Sequence, residues 1–469
     1  MEFEILRSAL VEAGAARLGR LAFPGRRRID TPNFFAATSR GVVPHLTPDN
    51  LARHDDLVGG AYLAFEDFIE RSQRNPGRVP PLLQAAARFP PRPLHAFCAL
   101  PAAVPVVLGP RRVPAAANQL GNGPDSVSVF TSTGVQTLTT AAYADAVVAL
   151  RPDVVVPMAD LAWLPVAPGG KRAARMADRT DDWMVGLRRR LLEQHQRDGL
   201  LSSTAVFAPT LPVPHAVQWD YLRSLSEDML DFVHGLAVYD VDIIPDLPAY
   251  PGLAALPRLS LDVPATPHHI LRQVSLGVDV VLLPTINTAS EAGVAYTFVF
   301  PAPPPSPTPA EQILPLAVDL TLPEHTTSLA PLSPGCACPA CATHHAAYLH
   351  HLLAAREMLA WTLLQLHNHH VCAAFFAGVR ASLAAGTFER DAADFAARYE
   401  PDVPEGRGER PRVRGYAAGR TQQQPDEPAP QKLNRPAWGK LGAVAADAAA
   451  AAAVAGQESQ ADGAVAATA

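Results

Sequence analysis

The stretch Cys336-Ala337-Cys338-Pro339-Ala340-Cys341 constrains this chain more than any other, because three of its five cysteines fall within six residues. Thiolates crowded this closely repel one another unless a cation holds them. A soft sulfur cluster completed by one imidazole suits tetrahedral Zn²⁺. Three thiolates and one histidine would fill all four positions and leave none for a reacting water. Such a site holds a fold together and does no chemistry of its own.

Spacing alone leaves the fourth ligand open. His344, His345, His350, His351, His367, His369 and His370 all follow the cluster. His344 and His345 lie so close to Cys341 that their reach is awkward. His367 lies 26 residues past Cys341, and one straight helix over that span would be about 39 Å long. If His367 is the ligand, the segment must therefore double back as helix-turn-helix. The break then falls near Ala354-Ala355-Arg356, between the apolar runs Tyr348–Leu353 and Met358–Leu366.

Composition narrows the class. The 469 residues are 48% hydrophobic and 18% charged, as in globular proteins. The 47 prolines, about twice the usual ~5% share, argue for many ordered loops and against a helix bundle. A formal net charge of −6 excludes a global basic field for nucleic acid, so any RNA contact must be local. Few, clustered cysteines point to a reducing compartment, and cytoplasm is the expectation. The acidic start Met1-Glu2-Phe3-Glu4 is unlike a targeting peptide. No run reaches ~18 strongly apolar residues, so no membrane span is expected.

Along the chain, Ala16–Leu21 and Arg26–Pro32 read as a hairpin. Strands are expected at Ser126–Phe130, Asp153–Pro157, Ala205–Ala208, Gly235–Val238 and Gly277–Leu283. Helices are expected at Ala141–Leu150, Thr180–Asp198, Gln218–Phe232 and Pro267–Leu276. Asp181 and Asp182 suit the start of the second helix. Buried β-branched strands alternating with helices predict a parallel α/β architecture. At least five such units over about 330 residues favour a (β/α)8 TIM barrel with insertions. A zinc-binding helical subdomain follows over 331–400. Residues 401–469 are Pro-, Gly-, Gln- and Ala-rich and are expected to be a disordered low-complexity tail. Cys98 and Cys372 read as core thiols. The run Arg188-Arg189-Arg190 reads as a solvated helix face.

Several stretches together resemble the tRNA-guanine (queuine) transglycosylases. Ala16-Arg17-Leu18-Gly19 through Thr31-Pro32 is similar to that family's opening strands. Lys171-Arg172-Ala173-Ala174-Arg175-Met176-Ala177-Asp178-Arg179 looks like its basic segment before a barrel helix. His234-Gly235-Leu236-Ala237-Val238 resembles its Gly-Gly-Leu-Ala-Val strand. Cys336, Cys338 and Cys341, then Tyr348-Leu349-His350-His351-Leu352 and His367-Asn368, match its zinc subdomain in order and spacing. The resemblance spans about residues 1–400. It implies a (β/α)8 barrel of residues 1–330, one structural Zn²⁺, and His367 as the fourth ligand.

Active members of that family exchange a base at an N-glycosidic bond. One carboxylate attacks the ribose carbon to form a covalent intermediate, and a second moves protons on the two bases. The nucleophile lies in a segment like Gly-Val-Asp-Met-Phe-Asp-Cys, and here Gly277-Val278-Asp279-Val280-Val281-Leu282-Leu283 puts Leu282 in its place. The second carboxylate lies in a segment like Thr-Asp-Ser-Gly-Gly-Phe-Gln. Compared with Phe130-Thr131-Ser132-Thr133-Gly134-Val135-Gln136, this puts Thr131 in its place. No catalytic residue is therefore assigned. Asp160 lines up with a base-recognising acid and is the candidate substrate-binding residue; Asp240 lies near another acidic position. The resemblance implies a non-catalytic, accessory member that pairs with a catalytic paralogue. That pair would replace guanine by queuine at the wobble position of tRNAs with GUN anticodons, with the zinc subdomain contributing to the dimer interface. It also implies association with the mitochondrial outer membrane. The alternative is an active transglycosylase using a relocated acid, Asp279 or Asp160.

Overall fold

The computed structural model describes residues 1–408 apart from 9–15, 55, 71–78, 117–120, 132–133, 162–167, 199–203 and 305–312. The expected tail lies outside the described residues from 409 onward. Its first residues are described and held in place. The Arg407 amide donates to Asp319 Oδ2 (3.0 Å) and the Gly408 amide to the Ala292 carbonyl (3.1 Å).

Strands β1 (Glu2–Ser8), β2 (Arg17–Ala22) and β3 (Ile29–Thr31) form an antiparallel sheet in the order β1-β2-β3. β2 and β3 are the expected hairpin. Alternate residues of β2 are buried, the period of a half-buried strand. Leu21, Phe23 and Ile29 from this sheet join the apolar filling of the main barrel.

The barrel consists of β4 (Asn33–Ala37), β5 (Gly60–Ala64), β6 (Val106–Gly109), β9 (Val154–Val155), β10 (Ala205–Thr210), β11 (Gly235–Val238), β12 (Arg258–Ser260) and β13 (Val280–Leu282). Between β6 and β9 the chain forms a separate hairpin, β7 (Ser126–Thr131) and β8 (Gly134–Thr139). The eight parallel barrel strands close on themselves, with β13 pairing β4. Every residue of β5, β6, β10 and β11 is buried, as expected of strands covered on both faces. Helices Thr140–Leu150, Gly170–Asp198, His215–Glu227 and Pro267–Ser275 lie between them in sequence. The expected barrel is present, with two local corrections. Ser126–Thr131 is a strand, but it belongs to the β7–β8 hairpin and not to the barrel. The helix expected from Thr180 starts ten residues earlier, at Gly170, because Gly169-Gly170 marks its beginning and does not break it.

Past the barrel, β14 (Val294–Tyr296) pairs β15 (Ala317–Asp319) antiparallel. Helices Pro339–Thr343, Ala346–Ala354, Met358–Ala385 and Phe388–Arg398 follow. The break needed for His367 to fold back falls at Ala355–Glu357, where Arg356 takes a left-handed φ of 57°.

Two buried ion networks lie where strands enter the barrel. Asp279, just before β13, accepts from Arg17 Nε (2.9 Å) and Nη2 (2.5 Å) and from the Arg258 amide (2.7 Å). Burial, the first cause, and the nearby Arg17 lower the Arg258 guanidinium to about 10, against the opposing pull of Asp279. Breaking a buried pair by removing one partner strands the other charge. Asp279→Asn should therefore lower unfolding free energy in a urea titration by about 3–5 kcal/mol. Loss of the exposed Arg20–Asp30 pair should cost under about 1 kcal/mol.

The second network centres on Asp153, which accepts from Arg26 (3.0 Å), Arg92 (2.7 Å) and the Val106 amide (2.9 Å). His95 Nε2 donates to the Val104 carbonyl (2.8 Å), so Nδ1 accepts from Arg26 Nη2 (3.1 Å). Burial holds the His95 pKa below its ordinary 6.5, despite the pull of Asp153. The unfolded chain then takes up this proton first. Its contribution to stability is complete above pH 6.5 and is lost as pH falls toward the lower folded value. His95→Gln, which keeps a donor for Val104, should flatten the pH dependence of unfolding below 6.5.

Candidate metal centre and barrel mouth

The sulfur cluster is assembled by local turns. The Cys336 amide closes a turn onto Ser333 O (3.2 Å). Cys338 caps the Pro339–Thr343 helix, and its Sγ accepts from the Cys341 amide (3.3 Å). Pro339 at the first helical position needs no donor there. One helical turn then sets Cys338 and Cys341 on the same side.

The imidazole arrives from the middle of the Met358–Ala385 helix. His367 Nδ1 stands 3.7, 3.4 and 3.4 Å from the sulfurs of Cys336, Cys338 and Cys341. Zn–S near 2.3 Å and Zn–N near 2.0–2.1 Å in a tetrahedron give an S···N edge of about 3.6 Å. The four donor atoms thus surround a point that fits a tetrahedral ion. His367 Nε2 donates to the Tyr296 carbonyl (2.8 Å), which fixes the tautomer presenting Nδ1 to the metal. Asn368 supports the same helix. Its Nδ2 donates to Val294 O and Ser290 Oγ, both at 2.9 Å, and its Oδ1 accepts from the Tyr296 amide at 2.8 Å.

Without an ion, the cluster shares protons. Hydrogen bonds from Cys336 and Cys338, with the facing His367 ring, hold the Cys341 thiol far below its ordinary range. Burial opposes charge on His367, yet Cys336 and Cys341 overcome it and push the ring up to about 9. A bound cation replaces those protons.

The other histidines do not converge with this set. His345 caps the Ala346–Ala354 helix, and His350 Nδ1 donates to Leu320 O (2.8 Å). His344 stacks on Tyr348, and buried His369 donates to Gln365 O. Among the described residues, Cys336, Cys338, Cys341 and His367 are the one group of three or more such ligands close enough to share an ion.

At the barrel mouth the expected residues separate. Leu282 ends β13 and is fully buried in the apolar filling. Thr131 ends β7 on the hairpin, and its hydroxyl donates to Gly134 O (2.8 Å). It therefore does not stand at a barrel-strand end as Leu282 does. The third barrel strand, β6, leads instead into Pro110-Arg111-Arg112. Asp279 lies at the entry end of β13, away from the C-terminal ends where sites of this fold gather.

Asp160, after β9, is fully buried and enclosed. Its oxygens accept from Asn122 (2.8 Å), Arg172 (3.0 Å) and Arg179 (3.1 Å). Asp240 caps the turn that follows β11, accepting from the Asp242 amide (3.0 Å). A further buried group was not read from the sequence. Glu66 accepts from the Arg112 amide (2.5 Å), Asp67 from Arg112 Nε (2.5 Å), and Arg111 lies 3.6 Å from Glu66. Burial raises the Glu66 carboxyl against both arginines. The signal was available in two adjacent acids and two adjacent arginines, each pair following an apolar strand.

A barrel carrying this Cys3His cluster defines the class, and comparison with known proteins agrees. The model of the queuine tRNA-ribosyltransferase family matches residues 12–401, and the chain belongs to that family. A relative from Schizosaccharomyces pombe, named queuine tRNA-ribosyltransferase accessory subunit 2, is 34% identical over 92% of this chain and 91% of its own. Proteins of the same name from Drosophila virilis and Culex quinquefasciatus are each 28% identical over 80% of this chain, covering 88% and 86% of theirs.

Cys338→Ser should abolish metal binding, measured by elemental mass spectrometry. It should also open residues 330–400 to proteolysis, because metal-binding energy is folding energy in such a site. Undiminished protection without metal would contradict this.

Proposed function

We infer that this chain is the non-catalytic, accessory partner of a two-chain queuine tRNA-ribosyltransferase. A catalytic paralogue would supply the carboxylates that exchange guanine for queuine at the wobble position of tRNAs with GUN anticodons. The observation that carries this reading is Leu282. It ends a barrel strand where the family's active segment bears its nucleophile, and a buried hydrocarbon cannot attack ribose. The names of the relatives support it. The relocated-acid alternative finds little support, since Asp279 and Asp160 are both closed in by arginines.

Zinc is the ion we assign to Cys336, Cys338, Cys341 and His367, on donor chemistry and edge lengths. We retain residues 1–330 as the barrel, 331–400 as the zinc-binding subdomain and 401–469 as a tail. The zinc region has its own apolar cluster around Leu349, Ala360 and Leu364. It also leaves Leu329 and Met358 more than 70% exposed, which suits the surface for the catalytic partner. Lys171 and Arg175 remain candidates for tRNA phosphate contact. Arg172 is turned to Asp160, and the two arginines on that carboxylate support a closed, structural role in place of base recognition. Among the described residues, no helix is long and apolar enough to cross a membrane.

Incubated alone with tRNA and labelled base, the purified chain should incorporate none. Adding the catalytic paralogue should restore incorporation. Robust exchange by this chain alone would overturn the assignment.

A further inference from the structure

A glycine in the middle of the long outer helix has no structural purpose of the usual kinds. Gly186 sits near the centre of the 29-residue Gly170–Asp198 helix. Its φ is not left-handed, and a Cβ added there would meet nothing within 4 Å. Neither backbone geometry nor close packing asks for glycine, and glycine weakens a helix interior relative to alanine. The missing side chain instead opens a cavity of about 580 Å³ against the Thr140–Leu150 helix. That volume is typical of small-molecule sites.

Tyr143, Met158 and Trp183, all nearly buried, line the cavity. Their polar atoms are already used. Tyr143 Oη donates to backbone carbonyls at 2.7 and 3.0 Å, and Trp183 Nε1 to Pro124 O at 2.7 Å. They offer carbon and ring surface to an occupant. On the rim, Asp145 and Arg190 satisfy each other (2.7 and 2.9 Å). Asp182, Arg189 and Glu193 are exposed and have no hydrogen-bond or ion-pair partner among the described residues. Two carboxylates against one free guanidinium leave an excess negative charge. Asp182 lies four residues before Gly186, on the same helix face. It is also separated from Arg189 by seven residues, about 10 Å of helix.

We propose that this cavity binds a flat heteroaromatic cation, its ring body over Gly186 and its N–H edge on the Asp182 carboxylate. Ring surface, an open floor above the glycine and one unneutralised acid at the end of the groove are the three requirements such a ligand sets. This site lies on the outer helices, apart from the metal centre. It does not depend on the accessory-subunit reading, because binding is measured on the full chain alone.

The probe is 2-aminobenzimidazole, titrated into the full-length protein by calorimetry, with neutral indole and anionic benzoate as controls. Wild type should bind one equivalent of the cation, at least tenfold more tightly than indole. Gly186→Leu should abolish binding with an unchanged or higher melting temperature, because the side chain fills the open space. Asp182→Asn, at an exposed position, should weaken binding at least tenfold and decides the matter if the leucine variant does not fold. Equal binding by Gly186→Leu, preference for benzoate, or no binding by wild type would overturn the proposal.

Discussion

The contact on which the lower half of this molecule depends is a single imidazole used at both edges. One nitrogen of His367 faces three sulfurs and the other is tied to the Tyr296 carbonyl of β14. Metal geometry and the placement of the Met358–Ala385 helix are therefore one constraint. The ring can meet the sulfurs only if the helix is docked on β14, and Asn368 next door repeats the tie through Val294, Ser290 and Tyr296. A residue that served the metal alone would leave the helix free to slide. His367 and Asn368 together remove that freedom.

The barrel mouth is governed by the opposite logic. Where a transglycosylase needs ionised oxygens facing substrate, this chain has hydrocarbon and neutralised acids. Leu282 is sealed in the core. Asp160 is held by Asn122 and two arginines. Glu66 and Asp67 are matched to Arg111 and Arg112. Taking these charges out of water is costly, and each is compensated by a partner. Such compensation gives structure to a mouth but leaves no carboxylate poised for attack.

Much of this was legible in the sequence, and the failures have physical causes. The clasp was readable because thiolate chemistry permits few arrangements at Cys-x-Cys-x-x-Cys spacing. The helix break at Arg356 was readable because distance forbade a straight helix to His367. β11 was visible as a run of buried residues bounded by His234 and Tyr239. By contrast β6 and β12 are only three or four residues long, too short to show a period. Ser126–Thr131 shows a clean alternation, but alternation marks a strand with one wet face. That is the signature of a hairpin, whereas the buried barrel strands read as continuous apolar runs. Assigning Thr131 to the reacting centre followed from that confusion. The arginines around Asp160 come from positions 12 and 19 residues away on one helix, and local reading could not tell that they fold back.

The central claim is that this barrel cannot become covalently attached to the RNA it helps to process. It is tested most directly by incubating tRNA with this chain and the catalytic paralogue together, denaturing the mixture, and measuring the mass of every protein that carries RNA. The account predicts an adduct on the paralogue alone. An RNA adduct on this chain would contradict it.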